Sequence, residues 1–487
     1  MSIAAQTASA LVRAAIIGGA AVAISGWLAR SLTGLRGRAA TVAWALLLAP
    51  FLTPSLLISY AFSRFAFALV ASPWSHHALY ATVLLLKLVP VATVIRWLLP
   101  PPLSAEARHC HRTLGAPSFF EDMLFRFRGA GSGPWFAGGV VFLLAFADFE
   151  LASLWSVKTW TVALFDAQTG GLNLPESLRL AAWPLGVQLA VLALLALRGG
   201  RMQSAANPGA AKVNRAILGY LAGVAFVVCA LPLFIVATQA AAGFRAVLEN
   251  FVLGNEIATS VLFALAAAVM AGASFRVARA SRVLVLASRQ DELPKPRASQ
   301  TDYRARIRSG TKVREGGTPS PALGTRVLPG VPGLLGSLVV ALLVLALFQT
   351  PPLRPLYDTP LPLLLALTVL LLPLALLLHT LLEMRRMSPM RHIARQLGSR
   401  RLAWELDWQP RLAAFGLLFC WAYFDFTASA ILAPTGMTPV FVRLHNLAHY
   451  GQTPVLSAMM LAAFATPAAL LLLTLTAGRI YARRDGR

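Results

Sequence analysis

Three acids stand where acids are costly. Asp148, Glu150 and Asp425 fall inside long apolar runs, in FADFEL and YFDFTA. Carboxylates at such depth face a helix bundle rather than lipid, so they either line a path for a cationic solute or hold a neighbouring helix by hydrogen bonds. Lys87 is the one intramembrane lysine and calls for a partner on the same grounds. His445 and His449, four residues apart, would share one helix face, a spacing that can support metal ligation; an amphipathic surface helix is the plainer reading. His76 and His77 are adjacent in SPWSHH, without a third ligand in reach, and read as solvated loop residues. No clustered acids or histidines suggest a catalytic centre, so no catalytic residue and no metal site is assigned. SGTK lacks the spacing of a phosphate-binding GxxxxGK[ST] loop, and no such loop occurs elsewhere. ATP hydrolysis does not belong to this chain.

The elements that must carry these residues are membrane helices. The chain has 487 residues, of which 57% are hydrophobic and only 13% charged, with a mean hydropathy of +0.67. A span needs about 20 apolar residues to cross a bilayer core. Eleven runs qualify, near 9–29, 41–62, 78–99, 135–156, 177–197, 216–238, 257–275, 331–349, 360–382, 411–432 and 455–477. None shows the short alternating period of a membrane barrel. The expected fold is all-α and polytopic.

The net charge of +24 is a matter of placement. With the 281–330 loop in the cytoplasm, most of the 43 Lys and Arg fall on that side, the positive-inside pattern. The N-terminus then lies outside and the C-terminal RRDGR inside. No interleaving of aromatic and basic residues suggests a nucleic-acid groove. Three cysteines, Cys110, Cys229 and Cys420, provide no disulfide framework.

Two stretches repeat. RHCHRTLGAPSFFEDMLFRF, an apolar span and FADFELASLWSVKTWTVALFDAQTGG are matched by RHIARQLGSRRLAWELDWQP, another span and FDFTASAILAPTGMTPVFVRLHNLAHYGQ. Pro90 aligns with Pro373, the pair Leu114 and Gly115 with Leu397 and Gly398, and Asp148 and Phe149 with Asp425 and Phe426. The first span and the seventh share a richness in small residues, which lets helices pack closely in lipid. Residues 1–200 form one repeat of about five spans, 201–215 a cytoplasmic connector, and 216–487 the second repeat with an extra leading helix. An inserted sixth span restores the same orientation to both halves, so the repeats are parallel and the two basic loops, 104–130 and 384–410, face one compartment. Residues 281–330, rich in Pro, Gly, Ser and Arg, read as a loosely ordered basic insert.

The duplication, the two Leu-Gly loops and ILAPTGMTPVFVRLHNLAHYGQ resemble the fused permease subunits of binding-protein-dependent ABC importers, in the ferric-iron and thiamine branch. The resemblance covers nearly the whole chain. It implies a type I importer fold that forms both halves of a translocation pathway, in the plasma (inner) membrane, with the C-terminus cytoplasmic. The implied partners are two ATPase subunits, which hold the ATP and Mg²⁺, an extracytoplasmic substrate-binding protein and the lipid bilayer. No nucleic acid and no cofactor of the chain's own are implied. Ferric iron or another small cation or cofactor is the implied substrate.

By the same resemblance, Arg108, His109, Arg112, Leu114 and Gly115, with Arg391, His392, Arg395, Leu397 and Gly398, dock the ATPase. Asp148, Glu150 and Asp425 line the pathway, and Arg443, Asn446, His449 and Tyr450 belong to an outer gate helix. The chain departs from the family where Glu-Ala-Ala is usual, having His109, Cys110, His111 and His392, Ile393, Ala394 instead. A secondary transporter and a permease-like scaffold without ATPase coupling are the alternatives.

Overall fold

The computed structural model describes residues 3–35, 37–98, 110, 113, 118, 133–171, 173–198, 215–249, 253–292, 332–386, 402, 404–448 and 453–483. The first docking loop therefore lies almost wholly outside the described residues, as does the greater part of the second and most of the 281–330 insert. Among the described residues the chain is helical throughout, without a strand. Among the described residues eight helices are long and apolar enough to cross a membrane, and a bent pair counted as one span makes nine. Two of the eleven apolar runs form shorter helices, Ser337–Phe348 and Gln409–Tyr423. The chain is thus an all-helical protein of the multi-pass membrane kind.

In the first repeat the helices are α1 (Ile3–Leu32), α2 (Gly37–Leu52), α3 (Ser55–Ala68), α4 (Pro73–Leu98), α5 (Gly133–Phe146), α6 (Glu150–Leu154), α7 (Trp160–Thr169) and α8 (Leu174–Arg198). Next comes a linking helix, α9 (Arg215–Ala225) and α10 (Leu231–Ala240), joined by a π-helical turn over Phe226–Ala230. The short α11 (Phe244–Glu249) precedes the second repeat. That repeat comprises α12 (Leu253–Glu292), α13 (Ser337–Phe348), α14 (Leu361–Arg386), α15 (Gln409–Tyr423), α16 (Thr427–Leu432), α17 (Val440–Ala448) and α18 (Pro454–Arg483).

The two repeats pack their helices in the same pattern. α1 lies against α4, α5 and α7; α12 lies against α14, α15 and α17. α3 meets α6 as α13 meets α16, and α8 meets α5 and α7 as α18 meets α15 and α17. The buried face of α1 carries Ala10, Ala14, Ile17, Gly18 and Ala21, and that of α12 carries Ser260, Ala264, Ala267, Ala268 and Ala271 at identical spacing. Small residues set the distance between these helices. A Cβ on Gly18 would come within 3.0 Å of the Gly138 carbonyl oxygen, so α1 and α5 touch backbone to backbone. Pro90 and Pro373 sit inside α4 and α14 at equivalent places, each removing one internal hydrogen bond from a cavity-lining helix.

Polar pegs tie one repeat to the other. Gln188 Nε2 of α8 donates to the Leu335 carbonyl ahead of α13 at 3.0 Å. The Tyr60 and Ser457 hydroxyls of α3 and α18 meet at 2.9 Å, and Ser457 also donates to Gln239 of the linking helix. That linking helix is wedged between α3 and α18 and accepts a second bond from Thr53 at the Cys229 sulfur.

Three local expectations change. α12 runs on to Glu292 and takes up the start of the expected loose insert, because nothing between Ser274 and Pro294 breaks a helix. His76 and His77 belong to the first turns of α4, and His76 is buried rather than solvated. The helices of the acid-bearing spans are interrupted: within the span Gly133–Leu154, α5 ends at Phe146, and α15 ends at Tyr423, just before Asp148 and Asp425.

Candidate functional site

A cavity of about 580 Å³ lies between the repeats. It is bordered by Trp97 and Leu98 at the end of α4 and by Thr380 and Leu381 near the end of α14, the ends that lead into the two basic loops. It reaches inward to four helix breaks, at Thr53 and Pro54, at Ala147 and Asp148, at Gly336, and at Phe424 and Asp425. The bend between α2 and α3 is 72°. Most of the wall is Leu, Val, Pro, Phe and Trp, with a few polar groups gathered at the breaks. A largely apolar hollow of this size with convergent polar groups has the form of a small-molecule site.

Each aspartate caps the short helix after its break. Asp148 Oδ2 accepts the Ala152 N–H at 3.3 Å and the Tyr80 hydroxyl at 2.8 Å. Asp425 Oδ2 accepts the Ala428 N–H at 2.9 Å, while its Oδ1 accepts the Ser337 hydroxyl at 2.6 Å. The unsatisfied N–H groups of a first helical turn attract a carboxylate, so α6 and α16 each help to hold a buried negative charge. A second relay backs Asp148, since the Arg13 guanidinium lies 4.9 Å from the centre of the Tyr80 ring. Of the two roles open to these acids, the hydrogen-bonded one is visible for both, and both still border the cavity.

Glu150 is different. It begins α6 yet reaches into the other repeat, where its Oε1 accepts the Phe426 N–H at 3.3 Å. Lys87, on α4, donates to the Ser55 hydroxyl at the start of α3. Lys87 is attracted by Glu150 and Asp148 and is in contact with neither.

Beyond the acids the cavity ends at a stack of rings. Phe149 borders the cavity and lies parallel to its repeat mate Phe426, with centroids 6.0 Å apart and planes 12° apart. Phe165 of α7 packs on the far side of Phe149 at 4.6 Å, and His445 of α17 on the far side of Phe426 at 3.9 Å. Phe165 and His445 occupy matching positions on matching helices, as the shared burial of Trp160 with Val440 and of Leu164 with Leu444 shows. Four rings thus cross the repeat interface in pseudo-symmetric order.

Of the residues singled out from sequence, the structure brings together Asp148, Glu150 and Asp425. Arg443 and Asn446 are exposed on α17 and point away from the rings that His445 joins. His449 and Tyr450 lie outside the described residues, as do Arg108, His109, Arg112, Leu114, Gly115, Arg391, His392, Arg395, Leu397 and Gly398. No group of three His, Cys, Asp or Glu among the described residues could hold a metal. Sequence reasoning passed over Tyr80, Ser55, Ser337 and the ring stack. The signal for the stack was present, because Phe149 and Phe426 align in the repeat. No protein family, characterised protein or solved structure compared with this chain matches it.

Proposed function

We propose that this chain is the permease subunit of an ABC importer, forming both halves of a translocation pathway in the plasma membrane. The reading rests on one observation: two repeats with the same helix packing meet around a cavity that runs from the basic-loop ends to paired helix breaks. A pathway between two repeats that rock against each other needs a solute site at their shared interface. Lys87, Glu150 and the ring stack occupy that interface. ATP would be hydrolysed by two partner ATPases docked on 104–130 and 384–410, and a binding protein would deliver solute from outside, with the C-terminus in the cytoplasm.

Isolation of the tagged chain from its native membranes tests this. Co-purification of an ATPase, lost or uncoupled in Gly398→Arg while the chain stays in the membrane, is the expected result. A chain that purifies alone, with cellular activity unaffected by Gly398→Arg, rejects the importer reading.

The helix breaks favour one alternative. Broken spans with acids at their ends are also how secondary transporters hold coupling ions. Solute uptake by proteoliposomes of the chain alone, driven by an ion gradient, would favour that class instead.

A further inference from the structure

Within the cavity the two repeats are unequal in charge, and the difference bears on what can bind. Asp148 and Asp425 are each offset by a helix start and a hydroxyl, and Asp148 by Arg13 behind Tyr80 as well. Lys87 and Glu150 differ from them: neither receives a hydroxyl proton, and the two attract each other as opposite charges without contact. Lys87 has three protons and shares one with Ser55; Glu150 has two oxygens and engages one with the Phe426 N–H. Both border the cavity, Lys87 from α4 and Glu150 from α6, and both are held by main-chain or short side-chain partners that fix their positions. The surrounding wall is apolar and aromatic, with Trp44, Trp97 and Trp421 among its residues.

We infer that the cavity takes an organic zwitterion with an apolar body, its acidic group on Lys87 and its ammonium on Glu150. A bare metal cation is a poor fit: among the described residues no three acid, histidine or cysteine groups converge on one point, and repulsion by Lys87 opposes entry. A purely anionic ligand would take Lys87 from Glu150, and a purely cationic one would take Glu150 from Lys87. Each case leaves one buried charge with less compensation, whereas a zwitterion satisfies both. An apolar body replaces water against the Leu and Trp wall.

The inference rests on reading the cavity as the solute site, but its test needs no ATPase. The full chain, purified in detergent, is titrated with three molecules of one body: L-phenylalanine, 3-phenylpropionate and phenethylamine, with ferric ion alone as a fourth probe. The wall tryptophans give a fluorescence signal, and calorimetry checks it. The expected result is binding of L-phenylalanine at least tenfold tighter than either single-charge analogue, and none of ferric ion. Lys87→Met should weaken the zwitterion about tenfold or more and remove its advantage over phenethylamine; Glu150→Gln should remove its advantage over 3-phenylpropionate. Equal binding of all three organic probes, preference for a single-charge analogue or for ferric ion, or indifference to both substitutions in a protein whose thermal unfolding is unchanged overturns the inference. Binding as expected with no ATPase found in native membranes would leave the zwitterion site standing and remove the importer reading alone.

Discussion

The two repeats share a plan and differ in what fills it. Ser55 and Ser337 open α3 and α13 at the same place in the packing pattern. In the second repeat the Ser337 hydroxyl donates directly to Asp425, and Leu370 stands where the first repeat has Lys87. In the first repeat Lys87 has taken Ser55, and Asp148 is served instead by Tyr80, whose counterpart in α14 is Leu363. Arg13 behind Tyr80 likewise has Phe263 as its counterpart in α12. A single lysine in one repeat thus goes with a rearranged set of partners around it. The lesson is that duplication preserves packing, which depends on the small faces of α1 and α12, more strictly than it preserves the polar network inside, which each copy can rewire.

The comparison can be broken most severely at the start of α13. Gly336 holds φ at +88°, and a Cβ there would meet the Ala147 Cβ at 2.5 Å; the first repeat has Pro54 at φ −59° in the same place. Gly336→Val should therefore cost about 3 kcal/mol, from left-handed backbone strain together with the clash. Pro54→Ala should cost much less. Thermal unfolding of the two variants in detergent checks the difference, and equal losses would show that the two starts are not distinguished by backbone geometry.

The aspartates come next. Asp148→Ala and Asp425→Ala each remove a cap and strand a buried hydroxyl, for a loss of about 2 kcal/mol apiece. Both proteins should be less abundant in membranes as well as less active. Normal abundance with lost activity for either one would mean that the carboxylate acts on solute rather than on its helix.

The hydroxyl partners separate the repeats more finely. Ser337 serves both Asp425 and the Ala428 N–H, at 2.6 and 3.0 Å, whereas the Tyr80 hydroxyl serves Asp148 alone. Ser337→Ala should cost about 2 kcal/mol and Tyr80→Phe about 1 kcal/mol, measured by the same unfolding assay. A reversed order would contradict the partner assignment.

The smallest effect on stability should come from making the repeats alike. Lys87→Leu, which copies Leu370, removes a buried cation that has no contact ion pair and frees Ser55 to turn toward Asp148. Its stability should stay within about 1 kcal/mol of the parent, because relief of the desolvation of a buried lysine offsets the attraction it loses to Glu150 and Asp148. A loss of several kcal/mol would show that Lys87 is structural, an inner strut rather than a solute contact.

How much of this was legible beforehand follows from where the information lies. Apolar run length and the Pro90–Pro373 and Asp148–Asp425 alignments announce membrane helices and a duplication, because hydropathy and helix breakers are written residue by residue. The acids were legible as buried groups for the same reason: a carboxylate within an apolar run has few places to go. Their partners were not. Tyr80 lies 68 positions from Asp148 and Ser337 lies 88 from Asp425, so only the packing of α4 and α13 against the breaks brings them together. The breaks at the two aspartates were also hidden, since FADFEL and YFDFTA have no proline or glycine to mark them. What the sequence by itself determined is the solvent, the repeat and the set of costly charges; the tertiary structure alone decided that each aspartate holds its own repeat's short helix while Glu150 crosses to the other repeat and Lys87 takes Ser55, because a buried charge takes its role from the dipoles and donors that the fold places around it.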